Sequence, residues 1–322
     1  SYRHHPYRRD VPPGAVIWRE GSTTLVDYLA FVPEDKRTDA LPLLVVPSLV
    51  NRAYVLDLSA ETSFLRWLAA RGVRPVLVDW GQPGDAERTY GLEDYIAGRL
   101  ARALAALTET TGAPLHALGY CMGGLLALGL ALLHPEKLRS LILLATPWDF
   151  HAGDAVQAAL LAAAFPALLP SMRLAGELPA DAIQTLFTAQ DPMLVLRKYL
   201  AFARLDPDSE RARRFVALED WLNDGVPLTN KVAQESILSW YGENLTGRGL
   251  WRLAGRKITP EALACPSLCV VPSKDRIVPP ASAEALAAAL PQGTLLRPPT
   301  GHIGMVASLQ APKQVWTPLL AW

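Results

Sequence analysis

Short apolar runs alternate with helix-length stretches along this chain, and that alternation restricts the fold more than any other feature. Leu43-Leu44-Val45-Val46, Val76-Leu77-Val78, Leu115 to Leu118, Leu141 to Ala145, Leu268 to Val271 and Thr294 to Leu296 are strand-sized and mostly apolar. Such runs suit strands covered on both faces rather than half-solvated ones. Helical stretches at Ser63 to Arg71, Leu92 to Thr111, Gly123 to His134 and Ser282 to Leu290 separate them. That order predicts a mostly parallel sheet flanked by helices. Ahead of it, Ala15 to Trp18 and Thr24 to Tyr28, joined by a turn at Glu20-Gly21, predict a hairpin.

The alternation breaks once. From Trp148 to about Ala264 the pattern is helical and loop-like, rich in Ala, Leu and aromatics, with no buried-strand run. An insertion of that length between two late strands predicts a helical cap over the strand C-terminal ends, where open α/β sheets place their sites. The cap needs a core of its own, which accounts for most of its apolar residues. The sharper reading is that part of it lines a channel for an apolar chain. The expected organisation is an arm at 1–12, a core at 13–147 and 265–322, and the cap at 148–264. The arm is basic, aromatic and aperiodic, and it is expected to lie on the surface.

Composition excludes several classes. Half of the 322 residues are hydrophobic, enough for one large core, and 31 Lys and Arg balance 31 Asp and Glu. Nothing points to nucleic acid or an anionic membrane. Three cysteines in such a length do not form a disulfide framework and suggest a reducing, cytoplasmic setting. The longest apolar run, Ala155 to Leu169, is interrupted by Gln157 and Pro166, so no transmembrane segment is expected. Ser1 at the start points to a processed or trimmed end.

Gly119-Tyr120-Cys121-Met122-Gly123-Gly124 lies between one of the strand runs and a helical stretch. Glycines two positions either side of a cysteine leave room for a strained strand-to-helix turn, the nucleophile elbow. A helix N-terminus behind the side chain favours a thiolate and a developing oxyanion. A nucleophile needs a base, and the base an orienting acid. Asp275, in Ser273-Lys274-Asp275-Arg276-Ile277-Val278-Pro279, and His302, in Thr300-Gly301-His302-Ile303-Gly304, each follow their own strand run, in the chain order nucleophile, acid, histidine. These features predict an α/β-hydrolase fold with a Cys121–His302–Asp275 triad. The oxyanion donors are expected to be the backbone N–H of Met122 and, from Pro47-Ser48-Leu49-Val50-Asn51, that of Val50.

The other histidines and cysteines read as structural. His116 is expected to pack within a strand, and Cys265 and Cys269 to be buried and inert. Asp57 and Asp79, alternative acids, precede the nucleophile and read as structural hydrogen-bonding groups. No HExxH, paired CxxC, Gly-Lys phosphate loop or GxGxxG occurs, so neither a metal nor a cofactor is implied.

With these residues in place the chain resembles the polyhydroxyalkanoate synthases. The resemblance runs from about Pro12 through Pro13 to Trp18, Val46 to Leu58, Val78-Asp79-Trp80, the elbow, Asp275 to Pro279 and Gly301 to Gly304. Asn51-x-x-Tyr54-x-Leu56-Asp57-Leu58 is its most specific part. The short N-terminal region is similar to the two-subunit classes, which act with a non-homologous partner subunit. The resemblance implies that Cys121 takes the acyl group of a 3-hydroxyacyl-coenzyme A, with coenzyme A as substrate and not cofactor. The hydroxyl of a growing polyester chain then receives it. Asp275 would orient His302 or help activate that hydroxyl. A second subunit or a homodimer and a place at polymer granules are implied with it. One departure is Arg276, where the family usually has His.

Two other readings stay open. One is a cysteine hydrolase, either a thioesterase or an intracellular polyester depolymerase. The other is an inactive interaction subunit on granules, against which the complete triad argues.

Overall fold

The computed structural model describes residues 2–153, 155–188 and 198–322, and side chains throughout except at 186–188. Residues 154 and 189–197, part of the expected cap, lie outside the described residues. Eight strands form the main sheet: β1 (Ala15–Glu20), β2 (Thr23–Asp27), β3 (Leu41–Val46), β4 (Val73–Asp79), β5 (Leu115–Tyr120), β6 (Leu138–Leu144), β7 (Ser267–Val270) and β8 (Gly293–Leu296). Their spatial order is β1-β2-β4-β3-β5-β6-β7-β8. The β1–β2 hairpin joins antiparallel to β4, and every later pairing is parallel. This is the expected mostly parallel sheet, and its strands overlap every apolar run, with boundaries that differ by up to three residues at either end.

Burial on both faces explains those runs. Alternate residues point to opposite sides of a strand. Leu44, Val46, Val76, Val78, Leu141 and Leu143 belong to one core, packed against Ile96, Leu104 and the helix Met122–Leu133. Leu43, Val45, Leu77, Ile142 and Leu144 belong to the other, with the helix Phe64–Ala69 and the C-terminal Trp316. Ser63 caps Phe64–Ala69 by accepting the Arg66 N–H at 3.0 Å. The helix over the first face begins with π-wound turns, Asp94–Leu100, and continues as Ala101–Thr111. It ends at Gly112, whose φ of 66° is the left-handed conformation that closes many helices.

Between β6 and β7 the chain makes one long excursion. It contains the helices Ala155–Ala164, Leu169–Ala175, Ala180–Thr188 and Glu210–Asn223, and the helical run from Asn230 to Gly242. A cluster of Trp148, Phe150, Trp240, Tyr241 and Trp251 ties its ends together.

Two expectations change here. Pro166 does not interrupt the first helical region. It sits at the start of a 3₁₀ turn, Phe165–Leu168, and Pro170 opens the next helix. A proline in a first turn gives up an N–H that has no helical partner, so it costs little. Ala155–Ala175 is therefore helical throughout, long and apolar enough by length and composition to cross a membrane. It is largely exposed, with Val156 and Leu174 at 70% and 92%.

The arm is also not a loose surface segment. Tyr2, His5 and Val11 are buried. Tyr2 stacks on Tyr199 with centroids 5.7 Å apart, and a His5 ring nitrogen lies 2.7 Å from the Pro207 carbonyl. The aromatic surface of the excursion supplies the partner that local sequence could not reveal.

Candidate active site

β5 ends at Tyr120, and the chain turns at Cys121 with φ 57° and ψ −127° before entering the helix Met122–Leu133. That backbone is strained for a residue with a Cβ and costs on the order of 1–3 kcal/mol. Three glycines make the turn possible. A Cβ on Gly119 would run into Gly124, one on Gly123 into the Val46 and Pro47 carbonyls, and one on Gly124 into Thr146. Two bonds hold the turn: Cys121 N–H donates to Leu144 O at 2.8 Å, and Gly124 N–H to Cys121 O at 2.9 Å.

Asp275 and His302 come from loops after β7 and β8. Those loops are stitched together by Ser273 N–H to Pro298 O and Lys274 N–H to Thr300 O, both 3.0 Å. Asp275 Oδ2 lies 2.7 Å from His302 Nδ1, and both side chains are buried. Asp275 Oδ1 accepts the N–H groups of Ile277 and Val278 at 2.8 and 2.9 Å. Both carboxylate oxygens are thus engaged. His302 is further fixed by Tyr120, whose hydroxyl donates to the His302 carbonyl at 3.1 Å and whose ring lies 5.2 Å from the imidazole.

With Nδ1 on Asp275, Nε2 is the ring nitrogen left to serve Cys121. Burial alone would lower the imidazolium pKa. The negative charge of Cys121 and the hydrogen bonds to Asp275 and Cys121 outweigh it and raise His302 well above its usual 6.5. The three residues singled out by chain order therefore meet in one place. The arrangement is a thiol, a base and an orienting acid in series, competent for nucleophilic attack on an acyl group.

The oxyanion donors are placed unequally. Met122 is the first helical residue, so its N–H has no acceptor one turn back in the helix. The Val50 N–H, however, donates to Ser48 Oγ at 3.0 Å. At rest it is occupied, and Ser48 must turn away before Val50 can serve an oxyanion.

A cleft of about 330 Å³ lies beside the site, lined by Pro147, Phe150, Leu161, Tyr241, Arg276 and Val278 among others. Val278 also packs against Cys121. Burial, with the charge of Cys121, raises the Tyr241 phenol above its ordinary range. Sequence reasoning passed over Tyr241, which sits far from the elbow in the chain and matches no motif. Gln157 and Leu161, on the helix Ala155–Ala164, bring that helix to the cleft wall.

The remaining candidates are structural, as their sequence contexts suggested. Cys121, Cys265 and Cys269 are free thiols. Burial pushes the Cys269 thiol up to about 12; Cys265, expected to be buried, is only half-buried, and its thiol is raised by desolvation as well. His116 Nδ1 pairs with Ser140 Oγ at 2.8 Å. Asp57 is buried against Arg66 at 2.7 Å and Tyr28 at 2.9 Å, and Asp79 accepts the Gly81 N–H at 3.0 Å.

Comparison with known proteins bears on the fold and the family. Residues 42–307 match the alpha/beta hydrolase fold family, and residues 10–68 match the family described as Poly-beta-hydroxybutyrate polymerase (PhaC) N-terminus. The poly(3-hydroxyalkanoate) polymerase subunit PhaC of Allochromatium vinosum is 31% identical over 97% of this chain and 88% of its own length. The chain belongs to the PhaC family. The PhaC subunit of Thiocystis violacea is 29% identical over the same shares. Among solved structures, BpoC of Mycobacterium tuberculosis H37Rv has a TM-score of 0.57 at 18% identity, covering 96% of each chain, a likeness of fold alone. Within the PhaC family, Arg276 stands on the cleft wall directly beside the orienting acid.

Proposed function

We propose that this PhaC-family chain polymerises 3-hydroxyacyl groups from coenzyme A thioesters through an acyl-enzyme on Cys121. The observation that carries the reading is the buried Asp275–His302 pair beside a cysteine on a strand-to-helix elbow. Cys121 Sγ attacks the thioester carbonyl, and the Met122 N–H faces the oxygen as charge develops. Collapse breaks the bond to coenzyme A, whose thiolate takes the proton from His302. Neutral His302 next removes the proton of a chain-terminal hydroxyl, whose oxygen attacks the Cys121 thioester. An ester forms, Cys121 leaves as thiolate, and His302 keeps the proton for the next round. Asp275 orients His302 throughout. Three hydrogen bonds already engage its two oxygens, which favours the orienting role over activation of the hydroxyl.

The acyl group must reach an alcohol and not water. The apolar cleft and the aromatic excursion support water exclusion. The exposed, mostly apolar face of Ala155–Ala175, whose one charged residue is Arg173, suits an apolar product, and we place the chain in the cytoplasm at the surface of polymer granules. Relatives named as PhaC subunits support action with a second subunit.

The test is to supply the purified chain with 3-hydroxybutyryl-coenzyme A and analyse the products. Free coenzyme A together with polyester is expected, and Cys121→Ala should abolish both. Free coenzyme A with only 3-hydroxybutyrate would make the chain a thioesterase. No release, even with a partner subunit added, would favour an inactive scaffold.

A further inference from the structure

The loop that carries Val50 is gripped from two sides. On the inner side Trp80 Nε1 donates to the Pro47 carbonyl at 3.0 Å, and that carbonyl lies where a Cβ on Gly123 would come within 2.6 Å. On the outer side the polar contacts come from the excursion, while Arg9 of the arm lies over the Tyr54 ring, 4.9 Å from its centroid. Asn51 pairs with Gly225 in an antiparallel bridge. Trp221 Nε1 donates to the Arg52 carbonyl at 2.8 Å. Arg52 Nε lies 3.3 Å from Asp224 Oδ1. The Tyr54 phenol is raised by burial and then by the charge of the same Asp224 carboxylate. Three residues, Trp221, Asp224 and Gly225, thus hold Asn51, Arg52 and Tyr54, which begin one residue beyond Val50.

We infer that Trp221 and Asp224 are positioning residues for the oxyanion hole, so that the placement of the excursion sets the Val50 N–H and with it acyl transfer at Cys121. The inference rests on acyl chemistry at Cys121 but not on which acyl acceptor follows. Its physical basis is the steepness of donor geometry. A misplacement of about 1 Å in a catalytic group can cost roughly a hundredfold in rate. The Arg52–Asp224 pair, in contrast, is partly exposed, at 28% and 47%, and contributes little to stability. A contact of low stabilising value at the base of a catalytic loop is better explained by alignment than by folding.

Two reactions of the same thiol separate alignment from general damage. Acylation by p-nitrophenyl acetate builds an oxyanion; alkylation by iodoacetamide displaces iodide at a saturated carbon and builds none. Asp224→Asn and Trp221→Phe in the full chain should each slow acylation by about tenfold or more, with alkylation within about twofold of the unaltered chain. Asp224→Glu should recover part of the loss. Acylation and alkylation falling in proportion, or neither falling, would overturn the inference, as would an unaltered chain that p-nitrophenyl acetate does not acylate. If the split appears while 3-hydroxybutyryl-coenzyme A is not polymerised, the inference stands and the polymerase reading fails.

Discussion

Asp275→Asn isolates the charge of the orienting acid from its structural duties. Oδ1 accepts two backbone N–H groups, at 2.8 and 2.9 Å, and an amide oxygen in its place can accept both. The loop from Asp275 to Pro279 therefore keeps its anchor, and the side-chain volume barely changes. What is lost is the contact of Oδ2 with His302 Nδ1 at 2.7 Å. A hydrogen bond to a charged group is worth about 1.5–3 kcal/mol, which converts to a fall of roughly 10- to 150-fold in rate. A second loss adds to it. An amide NH₂ facing Nδ1 forces the ring proton onto Nε2, on the side of Cys121, where it blocks proton acceptance. In the serine-protease arrangement the same tautomer error costs about 10⁴. Coenzyme A release by Asp275→Asn is therefore expected to fall by about 10²–10⁴, with its thermal midpoint within a few degrees of the parent. Turnover within threefold of the parent would refute the assignment of Asp275 as orienting acid. Loss of the folded state would refute the claim that its structural bonds survive the change.

Further measurements follow from the same geometry. His302 is raised in the folded state, chiefly against burial by the Cys121 charge. Its contribution to stability is complete below the unfolded value near 6.5 and is lost as pH rises through the raised folded value. The thermal midpoint of the parent should thus fall from pH 7 towards pH 10 through this group, and Cys121→Ala, which leaves the Asp275 contribution in place, should reduce that component; equal slopes would contradict the pairing. Ser48→Ala releases the Val50 N–H and should speed acylation of Cys121 by about two- to tenfold, the equivalent of one net hydrogen bond. A slower variant would mean that Ser48 supports the hole instead of competing with it. Gly123→Ala drives a Cβ against backbone carbonyls of Val46 and Pro47, which cannot swing aside as a side chain can. A stability loss of at least about 1–3 kcal/mol is expected in denaturant titration, together with loss of turnover.

What the sequence disclosed follows from how local each signal is. The strands of the sheet were readable because burial on both faces writes a continuous apolar run, as in Leu43 to Val46. The triad was readable because each member directly follows its own strand. Contacts between segments far apart in the chain were not readable. Tyr2 needs Tyr199 and Phe215 to become buried, and a string of residues near a terminus says nothing about them. Pro166 was expected to stop a helix, yet whether a proline ends a helix or starts one depends on its place in the turn. The Val50 N–H was identified by loop position, but its capture by Ser48 depends on a local turn geometry that many loops of the same composition do not adopt.

The elbow and the excursion together explain why one strained residue can be kept in an ordered site. Cys121 holds a backbone conformation that costs on the order of 1–3 kcal/mol. It persists because its surroundings leave no alternative. Its N–H is bound to β6 through Leu144, its carbonyl to Gly124, and the three elbow glycines let the neighbouring backbone close in where any Cβ would collide. That rigidity fixes where the sulfur stands, but it cannot choose the acceptor of the acyl group. A thioester on Cys121 is nearly as activated as the coenzyme A thioester it came from, so water and alcohol are both able to discharge it. The choice falls to the groups that face the sulfur from outside the sheet, Val278 from the loop after β7 and Tyr241 from the excursion. The same excursion grips the loop of the second oxyanion donor through Trp221 and Asp224. Under the proposed mechanism one element would govern both how fast the acyl-enzyme forms and what resolves it, linking acylation to the exclusion of water without any separate device.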